Sequence, residues 1–193
     1  CLWCHSPESQ RFEYELSWLP VKCVGAEKCG GLCLNACPHG ALTLGEPEKS
    51  LQSDSMLTKP EVDRAKCAKC LKCAAVCPAK ALAPSGREIT VEEASARVER
   101  DRFVFKKDGG ATISGGEPMH QFSFTYNLAR NLSEMGIGVC LDTTGFAPPE
   151  QFLKILPYVE LFLYDIKQMD SKKHQSFTGV PNELILSNAR LLA

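Results

Sequence analysis

The run Cys67-x2-Cys70-x2-Cys73-x3-Cys77-Pro78 packs four thiols into eleven residues, the spacing of a bacterial two-cluster iron–sulfur run. Three thiolates so close together wrap one [4Fe–4S] cluster, while the fourth, followed by proline, is directed to a neighbouring cluster. A second, looser run precedes it: Cys23-x5-Cys29-x3-Cys33-x3-Cys37-Pro38. The segments CLNACPHGAL (33–42) and CAAVCPAKAL (73–82) align without gaps at an offset of 40 residues, an internal duplication. The rule for such runs assigns Cys23, Cys29, Cys33 and Cys77 to one cluster and Cys67, Cys70, Cys73 and Cys37 to the other. Zinc is the alternative, since Cys-x2-Cys pairs also build ribbons. Zinc ribbons, however, separate two pairs by a loop instead of running four cysteines together ahead of a proline. Cys1 and Cys4, in CLWCHSPES, form a lone Cys-x2-Cys that leaves zinc, redox dithiol and iron–sulfur open.

These thiols need elements to position them, and the aromatic residues show how the chain is divided. No Phe, Tyr or Trp falls between Trp18 and Phe103, although fifteen occur elsewhere. Such a segment builds a poor hydrophobic core, whereas metal–thiolate bonds supply folding free energy directly. Between the repeats, residues 45–60 are rich in Ser, Glu, Lys and Pro and read as a connecting loop. From residue 90 the pattern alternates. Thr90 and Glu93 form a capping box ahead of Val91, Ala94 and Val98. Residues 111–114 read as a buried strand, and Phe124, Leu128, Leu132 and Met135 as one face of a helix broken at Gly136. Residues 138–142 read as a second strand; Pro148 and Pro149 start a helix carrying Phe152, Leu153 and Leu156 that Pro157 stops; 161–166 read as a third strand. The alternation indicates parallel βα units, whose ligands sit at the strand ends. Those ends are GGEP, DTTG and DIK.

The composition sets outer bounds. With 193 residues, 44% of them apolar, and a net charge of -1, the chain suits a folded domain, not a disordered segment. Near-neutrality argues against a general nucleic-acid binder, and no run approaches the twenty apolar residues of a membrane span. Ten of the eleven cysteines precede residue 78, an odd and clustered count that favours reduced ligands over disulfides. Cys140 lies in an apolar stretch and reads as a small buried core residue. His5, His39, His120 and His174 share no metal-like spacing and read as surface or packing residues, and the Lys and Glu run of 92–107 as a solvated helix face. The chain opens at Cys1 without an initiator methionine, which reads as a fragment.

Taken together, the motifs resemble those of the glycyl-radical-enzyme activating enzymes of the radical S-adenosylmethionine (SAM) superfamily. CLWCHSPES resembles the second half of the Cys-x3-Cys-x2-Cys motif of that superfamily, and the two repeats resemble the ferredoxin-like insert of one activase subgroup. ISGGEP (113–118), LDTTG (141–145), YDIKQMD (164–170) and FTGVPNELILSN (177–188) resemble successive family blocks in order. The resemblance implies an α/β fold: a partial (β/α)6 radical-SAM barrel, incomplete here, with an inserted bacterial-ferredoxin-like domain. It divides the chain into a cluster loop at 1–19, the insert at 20–85 and βα repeats at 86–193.

The implied activity is that of an anaerobic, cytoplasmic oxidoreductase that cleaves SAM reductively and installs a glycyl radical on a partner enzyme. Flavodoxin or ferredoxin would supply electrons, and nucleic acid and membrane are not partners. Cys1 and Cys4 would hold the SAM-binding cluster with a third cysteine four positions upstream of residue 1, giving three [4Fe–4S] clusters in the full-length protein. The chain alone is then expected to be inactive. Gly115, Gly116, Glu117 and Pro118 would form the backbone edge that receives the SAM amino group. Asp142 and Thr143 would lie near the SAM amino-acid moiety, Lys167 would pair with its carboxylate, and Asp165 marks a position where some members bind a monovalent cation. No residue of the chain is assigned as catalytic. The competing readings are a radical-SAM enzyme acting on a small molecule, an electron-transfer polyferredoxin, which leaves GGEP, DTTG and DIK without a purpose, and a zinc-ribbon module.

Overall fold

A computed structural model describes residues 1–4, 12–50, 55–105 and 109–193. The chain divides into two compact units, Pro7–Arg87 and, as the other, Cys1–Ser6 with Glu88–Ala193.

In the Pro7–Arg87 unit, β1 (Leu16–Trp18) leads through a 3-10 turn to the short helices α1 (Ala26–Cys29) and α2 (Leu32–Ala36). Strands β2 (Leu42–Lys49) and β3 (Met56–Val62), helix α3 (Lys72–Val76) and strand β4 (Leu82–Pro84) follow, and β4 closes on β1 antiparallel. Strand β1 thus lies with the two repeats, within the stretch assigned from sequence to the cluster loop. The duplication is visible in three dimensions: α2 and α3 start and end 40 residues apart, and each ends in a cysteine with extended backbone, Cys37 and Cys77. The core contains almost nothing but aliphatic residues and thiols, with Leu16, Leu42, Leu82 and Ala74 buried beside Cys33 and Cys73 and with Trp18 at its edge. Sulfur therefore fills positions that aromatic rings occupy in an ordinary core.

The stretch read as a connecting loop is instead a β-hairpin. Strands β2 and β3 pair antiparallel from Leu42↔Val62 to Lys49↔Met56, with an irregularity between Leu44 and Pro47; residues 51–54 of that stretch lie outside the described residues. Pro47 sits at this break in register and Pro60 pairs beyond it, a placement proline tolerates because bulges interrupt the ladder. The Glu27 carboxylate on α1 accepts the Thr58 N–H (3.0 and 3.2 Å), Lys59 pairs with Glu48, and Leu57 is buried.

The second unit begins with α4 (Val91–Arg100), whose capping box is complete: Glu93 N–H donates to the Thr90 hydroxyl and Thr90 N–H to the Glu93 carboxylate. Residues 106–108 of the charged run lie outside the described residues. Strands β5 (Gly110–Ile113), β6 (Gly138–Thr143) and β7 (Leu161–Tyr164) form a parallel sheet in that order, separated by α5 (Phe122–Glu134) and α6 (Pro149–Ile155). The chain then continues through α7 (Ser171–Thr178) and α8 (Glu183–Leu192). Leu128 and Leu132 of α5 and Phe152 and Ile155 of α6 pack on Ile113, Val139 and Leu141.

Three expectations change here. In α6 it is Phe152 and Ile155 that are buried, three residues apart on one face, while Leu153 and Leu156 are turned outward and Pro157 lies inside a 3-10 turn. Strand β5 is buried only at Ile113, because it is an edge strand of the sheet. Cys140 is half-buried, not core: it alternates with Val139 and Leu141, pairs laterally with Thr112 and Leu161, and so points away from the helices. No helix among the described residues is long and apolar enough to cross a membrane.

Candidate functional site

The duplicated unit gathers its eight thiols into two sets. One recess is lined by Cys23, Cys29, Cys33 and Cys77, walled by Trp18, Leu34, Pro60 and Leu82. The other is lined by Cys37, Cys67, Cys70 and Cys73, walled by Leu16, Leu42 and Leu71. Each set takes three thiols from one repeat and the fourth from the other. Burial pushes the Cys23, Cys33 and Cys73 thiols above their ordinary value. Neighbouring thiols add to this, Cys29 and Cys77 acting on both Cys23 and Cys33, and Cys37 and Cys67 on Cys73. Among the described residues no group of three or more His, Cys, Asp or Glu side chains is arranged for a single metal ion. An all-sulfur donor set spread around a sulfur- and leucine-walled recess fits an iron–sulfur cluster, whose several irons replace the protons that burial holds on the thiols.

The second candidate site is built at the carboxyl ends of β5, β6 and β7. Glu117 ties the first two together. Its carboxylate accepts the Met119 N–H (3.1 Å), the Thr143 hydroxyl (2.7 Å), the Thr144 N–H (2.8 Å) and the Thr144 hydroxyl (2.5 Å). With four donors on two oxygens, the Glu117 side chain is fully used inside the protein. Gly115 has φ 154°, and a Cβ there would meet no atom within 4 Å, so the GGEP edge faces open space. Gly116 is exposed beside it, and Pro118 is buried as the first residue of a 3-10 turn. Asp142 is half-buried and accepts the Ser114 hydroxyl (2.8 Å), whereas Thr143, one residue on, is buried on the helix-covered side. Lys167 pairs with Asp165 two residues away.

Cys1 and Cys4 form a turn, Cys4 N–H to Cys1 carbonyl at 3.3 Å, that rests on the end of α7. Leu2 N–H donates to the Phe177 carbonyl (2.9 Å), and the Trp3 ring meets the Phe177 ring edge-on at 5.5 Å. His5 and the rest of CLWCHSPES lie outside the described residues. His39 and His120 are exposed, and His174 is buried with Nδ1 against the Val180 carbonyl (2.6 Å), a packing role.

Comparison with known proteins bears on the cysteine-rich unit and on the chain as a whole. A family model described as a 4Fe-4S dicluster domain matches residues 22–81, the stretch that holds both recesses. The chain is 41% identical to the isethionate sulfite-lyase activating enzyme of Desulfovibrio desulfuricans, over 100% of this chain and 59% of that protein. It is 39% identical to the choline trimethylamine-lyase activating enzyme of Oleidesulfovibrio alaskensis, over 97% of this chain and 57% of the relative. A trans-4-hydroxy-L-proline dehydratase activating enzyme from Clostridioides difficile is 36% identical, with 100% and 60% covered.

The chain is a homologue of the glycyl radical enzyme activating enzymes.

This activase homologue spans about three-fifths of the length of the curated relatives it matches and carries a 4Fe-4S dicluster domain. Several residues of its strand-end site escaped the sequence reading. Thr144 supplies two of the four donors to Glu117. Asn188 of α8, buried, donates to the Gly145 and Ala147 carbonyls (2.9 and 2.8 Å), and Asn182, also buried, holds the Gln168 and Met169 carbonyls (2.9 and 2.8 Å). Tyr164 donates to the Ile185 carbonyl (2.6 Å); burial, and then the Glu117 carboxylate, push its phenol up to about 12, so it stays a neutral donor at neutral pH. The available signal was two asparagines flanking an apolar helical run, where an amide is out of place unless it is bonded.

In the activase homologue, Glu117→Gln is expected to replace an acceptor pair by one acceptor and one donor facing donors. About 2 kcal/mol of stability should be lost, with faster amide exchange at Thr144, both read on the folded protein by denaturant titration and hydrogen exchange.

Proposed function

We propose that the protein is a radical-SAM activase that generates a glycyl radical on a partner enzyme, acting in the cytoplasm under anaerobic conditions. The observation that carries this reading is the convergence of GGEP, DTTG and DIK on one end of a parallel sheet, the first two joined through Glu117. The names of the relatives, all activating enzymes of glycyl radical enzymes, support the same reaction class. In this proposal β5, β6 and β7 are strands of a partial (β/α)6 barrel, and Cys1 and Cys4 belong to the SAM-binding cluster.

Cys1 and Cys4 would hold part of a [4Fe–4S] cluster that, when bound, would supply the electron for reductive cleavage of the S–C5′ bond of SAM, the chemistry that would lead to hydrogen-atom removal from a backbone glycine of the partner. The residues of the chain bind and orient. The open backbone edge at Gly115 and Gly116 receives the SAM amino group, with Glu117 and Pro118 fixing that edge from the buried side. Asp142, held by Ser114, and Thr143, bonded to Glu117, lie at the strand end that takes the SAM amino-acid moiety. Lys167 presents its ammonium to the SAM carboxylate while Asp165 holds it, and Asp165 is also the candidate ligand for a monovalent cation. Phe177 seats the Cys1–Cys4 turn through Leu2 and Trp3.

The test is anaerobic reconstitution of the full-length protein with iron, sulfide, SAM and a one-electron reductant. The expected result is 5′-deoxyadenosine formation and, with the matching partner, an electron paramagnetic resonance doublet that disappears when the target glycine of the partner is replaced. A fully iron-loaded protein that is reduced but never cleaves SAM would overturn the reading in favour of simple electron transfer.

A further inference from the structure

Most helices of globular proteins are held by a buried apolar stripe. Helix α7 has none. Across its eight residues the one buried side chain is His174, 2% exposed. Polar ties take the place of the stripe. At the start, Asp170 accepts the Lys173 N–H (2.9 Å), and Asn182 closes the excursion on the Gln168 and Met169 carbonyls. At the end, the His174 ring meets the Val180 carbonyl at 2.6 Å, which folds the chain back along the last turn beyond Gly179, at φ 92°. A carbonyl offers no proton, so Nδ1 is the donor. The other ring nitrogen, Nε2, is then a bare acceptor, buried with no partner among the described residues. Such an atom opposes folding, so the polar contribution of the ring comes through Nδ1.

The last carbonyls of a helix have no partners within it. For Phe177 the reason lies in the sequence: the N–H four residues on would belong to Pro181, which has none. The Phe177 carbonyl accepts the Leu2 N–H instead, from the Cys1–Cys4 turn, and the Phe177 ring meets Trp3. Leu2 is 78% exposed and Trp3 49%. Among the described residues, no other hydrogen bond or ring contact ties this turn to the rest of its unit. Cys1 and Cys4 are free thiols on that one turn, a donor pair suited to a soft metal centre.

We propose that His174 is a positioning residue for the Cys1–Cys4 turn: by pinning Val180 it sets where α7 stops, and with it the Phe177 carbonyl and ring on which the turn is seated. What the turn carries rests on the activase reading; where it is seated does not. Asn182 holds the base of the same excursion, at the residue that follows Lys167. Loss of the His174 tie at the far end would therefore move the two thiols relative to the Lys167 ammonium.

The test compares His174→Leu with His174→Asn in the iron-loaded full-length protein, by hydrogen exchange at the Leu2 amide, with amides of β6 as the reference for global stability. The two replacements are close in size, but the Asn amide can donate to Val180 from the place of Nδ1 and leucine cannot. The Leu2 amide should exchange about tenfold faster in His174→Leu and return to within about threefold of the parent in His174→Asn. A purely space-filling role predicts the reverse order, because a buried site accepts leucine more readily than an amide. Equal Leu2 exchange in the parent and His174→Leu overturns the proposal, and so does equally fast exchange in both variants. If His174→Leu does not fold, His174→Gln takes its place under the same expectation, since its amide donates from the position of Nε2. In the same proteins, the KM for SAM in 5′-deoxyadenosine formation should rise about tenfold in His174→Leu and recover in His174→Asn. An unchanged KM beside a fast Leu2 amide would overturn the link to SAM. Leu2 exchange is read without SAM, so a parent that never cleaves SAM counts against the activase reading and leaves the seating to be decided by exchange.

Discussion

Serine in place of Cys73 or of Cys70 is expected to empty the second cluster site and destabilise the dicluster unit, with Cys73→Ser costing about 1–3 kcal/mol more than Cys70→Ser. Both thiols line the same recess, so each replacement removes a quarter of the sulfur donors. They differ in what else they do. Cys73 is 7% exposed and packs with Leu16, Leu42 and Leu82, so a serine there also buries a hydroxyl at a cost of about 1–3 kcal/mol. Cys70 is exposed and contributes ligation alone. The unit has no aromatic core of its own beyond Trp18, and the binding free energy of a metal centre is folding free energy for such a domain. Iron and sulfide analysis should show about half of the dicluster iron lost in both variants. Thermal melting and amide exchange should separate them, with the β1–β4 ladder less protected in Cys73→Ser than in Cys70→Ser. Full iron content in either variant would remove that cysteine from the ligand set.

Alanine at Gly145 should cost about 4 kcal/mol, several times the cost of alanine at Gly179. Both glycines have left-handed backbone, φ 77° and 92°, so both variants carry a strain penalty of about 1 kcal/mol. A Cβ at Gly179 would meet nothing within 4 Å, while one at Gly145 would stand 1.7 Å from the Tyr164 hydroxyl oxygen and 2.1 Å from Cζ. Tyr164 cannot move away cheaply, because its hydroxyl is bonded to Ile185 and its strand pairs at Thr143. Gly145 is equally fixed, its N–H donating to the Thr143 hydroxyl (3.0 Å) and its carbonyl held by Asn188. Relief must therefore break the lattice that presents the DTTG end. Chemical denaturation of the two variants side by side measures the difference; equal losses would show that strain, not the collision, dominates.

How far the chain reveals itself in one dimension depends on where the information is local. The Thr90–Glu93 box is a short-range bargain between neighbours and was legible, as were α5, with its break at Gly136, and the order of three parallel strands. The hairpin of β2 and β3 was not, because most of its residues are solvated on both faces and show no alternation. What holds it is non-local: the Glu27 carboxylate, 31 residues away from Thr58, and an ion pair between strands. The apolar run of α6 was legible but its buried face was not: Phe152 with Ile155 meets the sheet, while Leu153 and Leu156 are exposed. Cys140 was placed in the core because its neighbours are apolar, but strand alternation sends it to the side that the helices do not cover. At the candidate site, the strand-end motifs were visible as letters. Their mutual bracing was not, since it runs through Thr144, Tyr164 and Asn188, residues whose partners are distant in sequence.

The exchange of one thiol between repeats also has a consequence for how the protein is made. A chain leaving the ribosome completes its first repeat early, with Cys23, Cys29 and Cys33 in place, but their recess lacks its fourth wall until Cys77 is synthesised. Cys37, made just as early, waits for Cys67, Cys70 and Cys73. Both recesses thus become complete within four residues of each other, at positions 73 and 77, after about forty residues in which the nascent thiols have no finished site. A half-translated or prematurely ended repeat pair holds an incomplete donor set at both positions. Iron acquisition is in this way coupled to the birth of the whole duplicated unit, and the metal content of a preparation becomes a census of chains that finished it.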